Sequence, residues 1–323
     1  MSIRKFICIL VFLSFAPLGF TIEREVWDEY RIALVGQTTA DPLYSAVQAG
    51  ALAAANDLEM ELRLEIEIDF KTQRRANVDM QVKALNDCFL AGVDGVILNP
   101  IKDPRLNEAV GFLVEQDIPV VVYRNVSGID QALARVYTDQ KRMGEQGMEH
   151  LKDAIGPRGK AVAVLSSNSG DLVANQRLAG AKAYADTHNI GLYGVFPTAE
   201  EIGAAVNTVD SVTRGDRDGK LYGWLFLGDW PISGGADLPW QPGKMPCVAI
   251  GAHPAQLRYL QLDYVDALIA NDAYQWGYQS VKVMIDKLHS KKSPESRDIT
   301  VPAEVVTRGN LDEFLSRWSQ WLR

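Results

Sequence analysis

Short, wholly apolar runs alternate with longer amphipathic stretches along most of this chain. Residues 32–35 (Ile-Ala-Leu-Val) are the first such run, and a polar loop, Gly36-Gln37-Thr38-Thr39, follows. Apolar runs of this length bounded by turn residues read as strands buried on both faces. Pro42 then opens a helix that passes through Ala46, Gly50 and Ala54. Proline suits a first helical turn because its missing N–H would have no partner there. Residues 62–69 differ: Leu62, Leu64, Ile66 and Ile68 alternate with Arg63, Glu65, Glu67 and Asp69. That period of two predicts a strand with one wet face, near a sheet edge. Val78, Val82, Leu85 and Phe89 mark one face of a helix. A strand over 95–98, a helix over 105–116 and a strand over 118–122 complete the first half. Such alternation implies parallel strands with helices on both faces.

The pattern then begins again. A helix over 140–155 is stopped by Gly156-Pro157, and strand 161–165, helix 171–188, strand 192–196, helix 200–211 and strand 221–227 follow. An irregular stretch, 229–246, holds Trp230, Trp240 and four prolines. A loop that long inside a compact domain is functional or mobile. Beyond it come strand 248–250, helix 254–262, strand 267–269 and a last long helix marked by Val281, Ile285 and Leu288. The tail, 299–323, offers one strand and the apolar pair Trp318 and Trp321. The fold class is therefore α/β, with two open, doubly wound parallel-sheet domains. Ligands bind at the carboxyl ends of strands in such sheets, and two facing domains form a cleft that suits a small molecule.

Composition narrows the function. The 323 residues suit two domains, and 47% hydrophobic with 23% charged residues is ordinary globular composition. With 33 basic and 41 acidic residues the net charge is −8, the wrong sign for a nucleic-acid partner. Arg4 and Lys5 precede an apolar run over 6–20, which reads as an export signal. The run falls short of the about 20 residues of a membrane span, although an uncleaved anchor is the alternative. Cleavage is expected after Thr21, giving a signal peptide over 1–21 and a soluble periplasmic protein. Cys8 lies inside the apolar run, so it is not a lipid-attachment cysteine. Cys88 and Cys247 remain, with no spacing that requires them to pair. No nucleotide-binding glycine loop, zinc motif or nucleophile elbow occurs, and His150, His188, His253 and His289 have no metal-ligand spacing. Only His253, in a strand-to-helix loop, reads as a candidate to line a cleft. No metal, cofactor or catalytic group is expected, and the weight moves to binding.

Several segments, in order, resemble the periplasmic sugar-binding proteins of the ribose-binding type, the solute receptors of ABC importers. They are Ile32-Ala33-Leu34-Val35 followed by Asp41-Pro42-Leu43-Tyr44, then the Gly92-to-Pro100 segment GVDGVILNP, Gln116-Asp117-Ile118-Pro119-Val120-Val121, Arg177-Leu178-Ala179-Gly180, and Ile269-Ala270-Asn271 with Gly277-Tyr278. The resemblance spans about residues 30–310. It implies the type 1 periplasmic binding fold, with three chain crossings and a hinge. The implied first domain is 24–136 plus 273–292, and the second 137–272 plus 293–323. It also implies a site. Asp41 hydrogen-bonds a sugar hydroxyl, Tyr44 stacks on the ring or packs in the core, and Arg177 forks onto sugar oxygens. Asp229 and Trp230 stand where the family places a polar ligand contact, Asp229 otherwise being a helix cap or hinge contact and Trp230 a loop-packing residue, and Asn271 supplies a late amide. Trp276 reads as core. A guanidinium offers paired donors, a carboxylate accepts from hydroxyls and an aromatic face packs on C–H groups.

Two positions depart from that family. Arg124 stands where an aspartate is usual, and so does Gly251. Loss of two acceptors and gain of a cation favour a sugar acid or other anionic sugar held by Arg124 and Arg177. The competing outcome is that Arg124 pairs with a protein carboxylate or faces solvent. The expected protein is a monomer that gives a sugar-like ligand to an ABC permease. Presentation of a signal molecule to a membrane sensor is the alternative, and a secreted α/β enzyme a more distant one. A repressor of the same ancestry is disfavoured, because the residues before the first strand are apolar and contain no helix-turn-helix.

Overall fold

The computed structural model describes residues 27–124, 128–158, 161–235 and 237–322. The signal peptide expected over 1–21 lies outside the described residues. The first sheet contains β1 (Glu29–Val35), β2 (Glu65–Phe70), β3 (Gly95–Leu98), β4 (Val120–Tyr123), β5 (Ala134–Tyr137) and, from the tail, β11 (Asp298–Thr300). The second contains β6 (Ala161–Ser167), β7 (Gly191–Thr198), β8 (Trp224–Phe226), β9 (Cys247–Ile250), β10 (Ala267–Ala270) and β12 (Glu304–Val306). Strand order is β2-β1-β3-β4-β5-β11 in one and β7-β6-β8-β9-β10-β12 in the other. All pairs are parallel except β10 with β12. The central strands are buried at every residue, as their apolar runs require, and the alternating β2 is an edge strand.

Helices α1 (Pro42–Leu62), α2 (Val78–Ala91), α3 (Pro104–Glu115) and α8 (Ala273–Leu288) cover the first sheet. Those around the second include α4 (Gln140–Ile155), α5 (Leu172–Thr187), α6 (Ile202–Gly215) and α7 (Pro254–Gln261). Aspartate or asparagine caps recur where a strand hands over to a helix: Asp41, Asn77, Asp103, Asp139, Asp171 and Asp272 each accept a backbone N–H of the first turn. Two helix pairs pack unusually close. A Cβ on Gly50 or Gly277 would overlap the facing backbone of α8 or α1, and one on Gly144 or Gly180 that of α5 or α4.

The tail differs from expectation. It holds two strands, one in each sheet, and a helix, α9 (Leu311–Trp321). Because β11 pairs with β5, the chain returns to the second domain after Thr300 and not at residue 293. The three crossings lie together. Val301 N donates to Tyr137 O at 2.7 Å, and Trp276 Nε1 at the start of α8 donates to Thr138 Oγ1 at 3.1 Å. Helix α9 buries Leu311, Phe314 and Trp318 and packs against both α7 and α1. The strand β5 was not anticipated either. Cys88 and Cys247 are both buried free thiols.

Candidate functional site

On the first domain, the site is built at the carboxyl ends of β1, β3 and β4 and at the amino end of α1. Gln37, Thr38, Asp41, Tyr44, Asn99, Tyr123, Arg124 and Trp276 line one narrow pocket there. Asp41 does two jobs with its two oxygens. Oδ1 caps α1 by accepting from Leu43 N at 3.0 Å, and Oδ2 accepts from Arg124 Nη1 at 2.6 Å. Arg124 takes the left-handed conformation (φ 68°) directly after β4 while its N–H donates to Val136 O at 2.8 Å. Its guanidinium remains 39% exposed and Asp41 22%. Arg124 thus pairs with a protein carboxylate and lines the pocket as well.

Burial disfavours the phenolate form of both pocket tyrosines. Tyr44 is pushed up to about 12 by burial, with the Thr72 hydroxyl opposing. Tyr123 is raised further, by burial and by neighbouring Tyr44. The Tyr44 ring packs beside Gly36 and is 5% exposed, so it floors the pocket rather than standing open in it. Gln37 Nε2 donates to Pro100 O at 2.7 Å, which fixes the loop after β1 against the loop after β3.

On the second domain, Arg177 in α5 is half-buried. Its Nε donates to Gln140 Oε1 at 2.7 Å and its Nη1 to Leu227 O, just past β8, at 2.9 Å. Nη2 has no protein acceptor among the described residues. Burial lowers its pKa to about 10; Asp229 opposes the shift and Arg124, from the other domain, adds to it. Arg177 thus lies within electrostatic reach of both Asp229 and Arg124. Asp229 follows β8, with Oδ2 at 3.8 Å from His253 Nδ1. Gly251, at φ 126°, presses on it, and a Cβ there would sit 2.6 Å from Asp229 Cβ. The missing acceptor at 251 therefore has a steric cause: no side chain fits beside Asp229. Asn271 follows β10, and its buried Oδ1 has no hydrogen-bond partner among the described residues. Trp230 is 8% exposed in a one-turn 3-10 helix, and its Nε1 donates to Thr198 Oγ1 at 3.3 Å. Its ring is buried in the hydrophobic core cluster.

A family model described as the periplasmic binding protein domain matches residues 32–292. The chain belongs to that family. Solved structures share the fold of this periplasmic binding protein. An ABC transporter solute-binding protein from Agrobacterium vitis, bound with α-D-tagatopyranose, is 22% identical with a TM-score of 0.70, covering 90% of this chain and 98% of its own. The periplasmic ribose ABC transporter protein from Conexibacter woesei is 19% identical with a TM-score of 0.75, covering 90% and 95%. The arabinose-binding protein AraP from Geobacillus stearothermophilus is 18% identical with a TM-score of 0.74, covering 89% and 99%. No curated protein sequence matches significantly.

Sequence reasoning passed over several residues that this periplasmic binding protein brings to its site. Gln37, Asn99 and Tyr123 stand at the carboxyl ends of β1, β3 and β4, so the strand-end rule alone had the signal to find them. Trp276 is core, as expected, yet also lines the pocket. Gln140 and Thr138 carried no such signal, because their role depends on how closely α4 approaches α5.

Proposed function

We propose that the chain is an exported solute-binding protein that captures a neutral sugar or polyol between its domains and delivers it to a membrane importer. The observation that carries this reading is the Arg124–Asp41 pair at 2.6 Å. Two guanidiniums and two carboxylates, Asp41 and Asp229, leave the site balanced in charge. An anionic sugar would have to draw Arg124 from Asp41 and would leave that carboxylate beside it. A neutral polyol needs acceptors for its hydroxyls and donors for its oxygens. Asp229 and Asn271 Oδ1, unpartnered among the described residues, supply the first, and Arg177 and Arg124 the second. The absence of any nucleophile–base motif supports capture without turnover. Structural relatives described as solute-binding proteins with D-arabinose or myo-inositol bound support the same ligand class.

A thermal-shift panel of neutral sugars, polyols, sugar acids and sugar phosphates tests this, read beside mass spectrometry of co-purified ligand. Stabilisation by neutral members is expected, and stabilisation by acids or phosphates alone rejects it. We place the protein in the periplasm as a monomer after cleavage near Thr21, which the mass of the exported form checks. Loss of uptake of the stabilising sugar on deletion of the gene is expected. Unimpaired uptake would move the protein to presentation before a membrane receptor.

A further inference from the structure

Gln140 is a buried amide, 4% exposed, at the first position of α4, just past the crossing from β5. Both ends of the amide are engaged. Nε2 donates to Thr138 O at 2.9 Å, and Oε1 accepts from Arg177 Nε at 2.7 Å. The first bond decides the second. If the amide turned over, its NH2 would face the guanidinium, donor against donor, so the bond to Thr138 holds the acceptor toward Arg177. Thr138 is itself 2% exposed and fixed, with its hydroxyl accepting from Trp276 Nε1 at 3.1 Å across the second crossing. The preceding Tyr137 carbonyl accepts from Val301 N at 2.7 Å in the third. The contact also depends on the bare backbones of Gly144 and Gly180, which let α4 and α5 close to this distance.

We infer that Gln140 is a positioning residue: it orients the Arg177 guanidinium and ties that orientation to the three crossings about which the domains must turn. With Nε held by Gln140 and one Nη1 N–H by Leu227 O, the plane of the guanidinium is fixed, and Nη2 has no acceptor among the described residues. A turn at residues 137–139 moves Thr138, and with it the amide. Arg177 is therefore correctly aimed only in the hinge state that seats this network. Its contribution to affinity here rests on the sugar-capture reading, whereas its hold on Arg177 does not.

Two measurements separate those claims. The first needs no ligand: arginine Nε–H exchange by NMR on the full exported chain, with the Arg177 signal assigned by its loss in Arg177→Lys. Slow exchange in the wild type and fast exchange in Gln140→Met are expected. Fast exchange in the wild type, or no change in Gln140→Met, overturns the inference. The second is titration with whichever of D-arabinose, D-tagatose, ribose and myo-inositol most stabilises the wild type. Gln140→Met should weaken binding by about ten- to a hundredfold, as loss of a hydrogen bond to a charged group does. Gln140→Met combined with Arg177→Met should be no weaker than Arg177→Met alone. Additive losses would show that Gln140 acts other than through Arg177 and would overturn its role. If no panel member stabilises the wild type, the sugar-capture reading fails, and the exchange measurement still decides whether Gln140 holds Arg177.

Discussion

Arg124 adopts a backbone conformation that costs an ordinary residue about 1–2 kcal/mol, and it does so where its side chain reaches Asp41. The ion pair repays little of that cost in stability, since a part-exposed pair contributes about 0–1 kcal/mol. Its worth lies in the site. Arg124→Gly removes the guanidinium and relieves the backbone, whereas Arg124→Ala removes it and keeps the strain. In thermal unfolding, Arg124→Gly is expected to be more stable than Arg124→Ala by about 1 kcal/mol. Both should bind the preferred neutral sugar about tenfold or more weakly. Equal stabilities would show that residue 124 carries no strain, and unchanged affinity would remove Arg124 from the site. The pair also marks where sequence reading stops at this scale. Asp41 and Arg124 were each picked out, but they are 83 positions apart, and no spacing rule joins them. Gly251 was legible as a lost acceptor, yet its contact with Asp229 is a fact of packing.

Helix α8 begins at the second crossing with Asp272 as its cap, accepting from Gln275 N at 3.1 Å. Burial raises the Asp272 pKa, and the cap bond and Arg317 only partly oppose it. A carboxyl raised in the folded state binds its proton more tightly there than in the unfolded chain. Stability from this group is therefore present at low pH and is lost as pH rises from the ordinary carboxylate value through the raised one. Asparagine caps equally well without charge. Asp272→Asn should melt higher than the wild type at pH 7, with the gap closing as pH falls toward about 4. A gap that widens toward low pH would reverse the sign assigned to Asp272. At the α4–α5 crossing, Gly180→Ala puts a methyl against the Lys141 carbonyl and should cost about 1–3 kcal/mol while weakening sugar binding through the displaced Gln140. A variant as stable and as tight as the wild type would show that the crossing yields without loss.

The elements most legible from sequence were those whose pattern is repeated along the element. The buried runs of β1, β3, β4, β9 and β10 and the capped helices between them fall into that group. Strand β5 escaped because Ala134–Tyr137 is only four residues long and carries Arg135 in its middle, so no buried run announces it. Strand β2 starts later than its alternation suggested, because Leu62 ends α1 and Arg63 turns left-handed to cap it (φ 54°). Helix α9 was reduced to a tryptophan pair, although Leu311, Phe314, Trp318 and Trp321 recur at helical spacing.

At the scale of the whole molecule, α9 joins the two domains, packing on α7 of one and α1 of the other. It is fastened to the second domain by Trp318 Nε1, which donates to Ala252 O at 3.1 Å, and by the Arg317–Glu304 pair. Its end reaches the first domain, where Trp321 stacks on Tyr274 with ring centroids 5.9 Å apart and planes 21° from parallel. Tyr274 is the second residue of α8, immediately beyond the crossing at 271–272. On the proposed capture of a sugar between the domains, a contact so near the crossings moves little. Only contacts that differ between two states shift their balance. The Trp321–Tyr274 stack should therefore stabilise free and loaded protein alike without biasing closure. Trp321→Ala is expected to lower stability by about 1–2 kcal/mol, the worth of a half-buried aromatic pair. The stabilisation gained from the preferred sugar, about 2.7 kcal/mol at a hundredfold excess over Kd, should be the same in variant and wild type. Small-angle scattering should show the same ligand-induced contraction in both. A ligand-induced shift that grows or shrinks in Trp321→Ala would mean that the stack is made or broken on closure, and that α9 sets the balance between the two states.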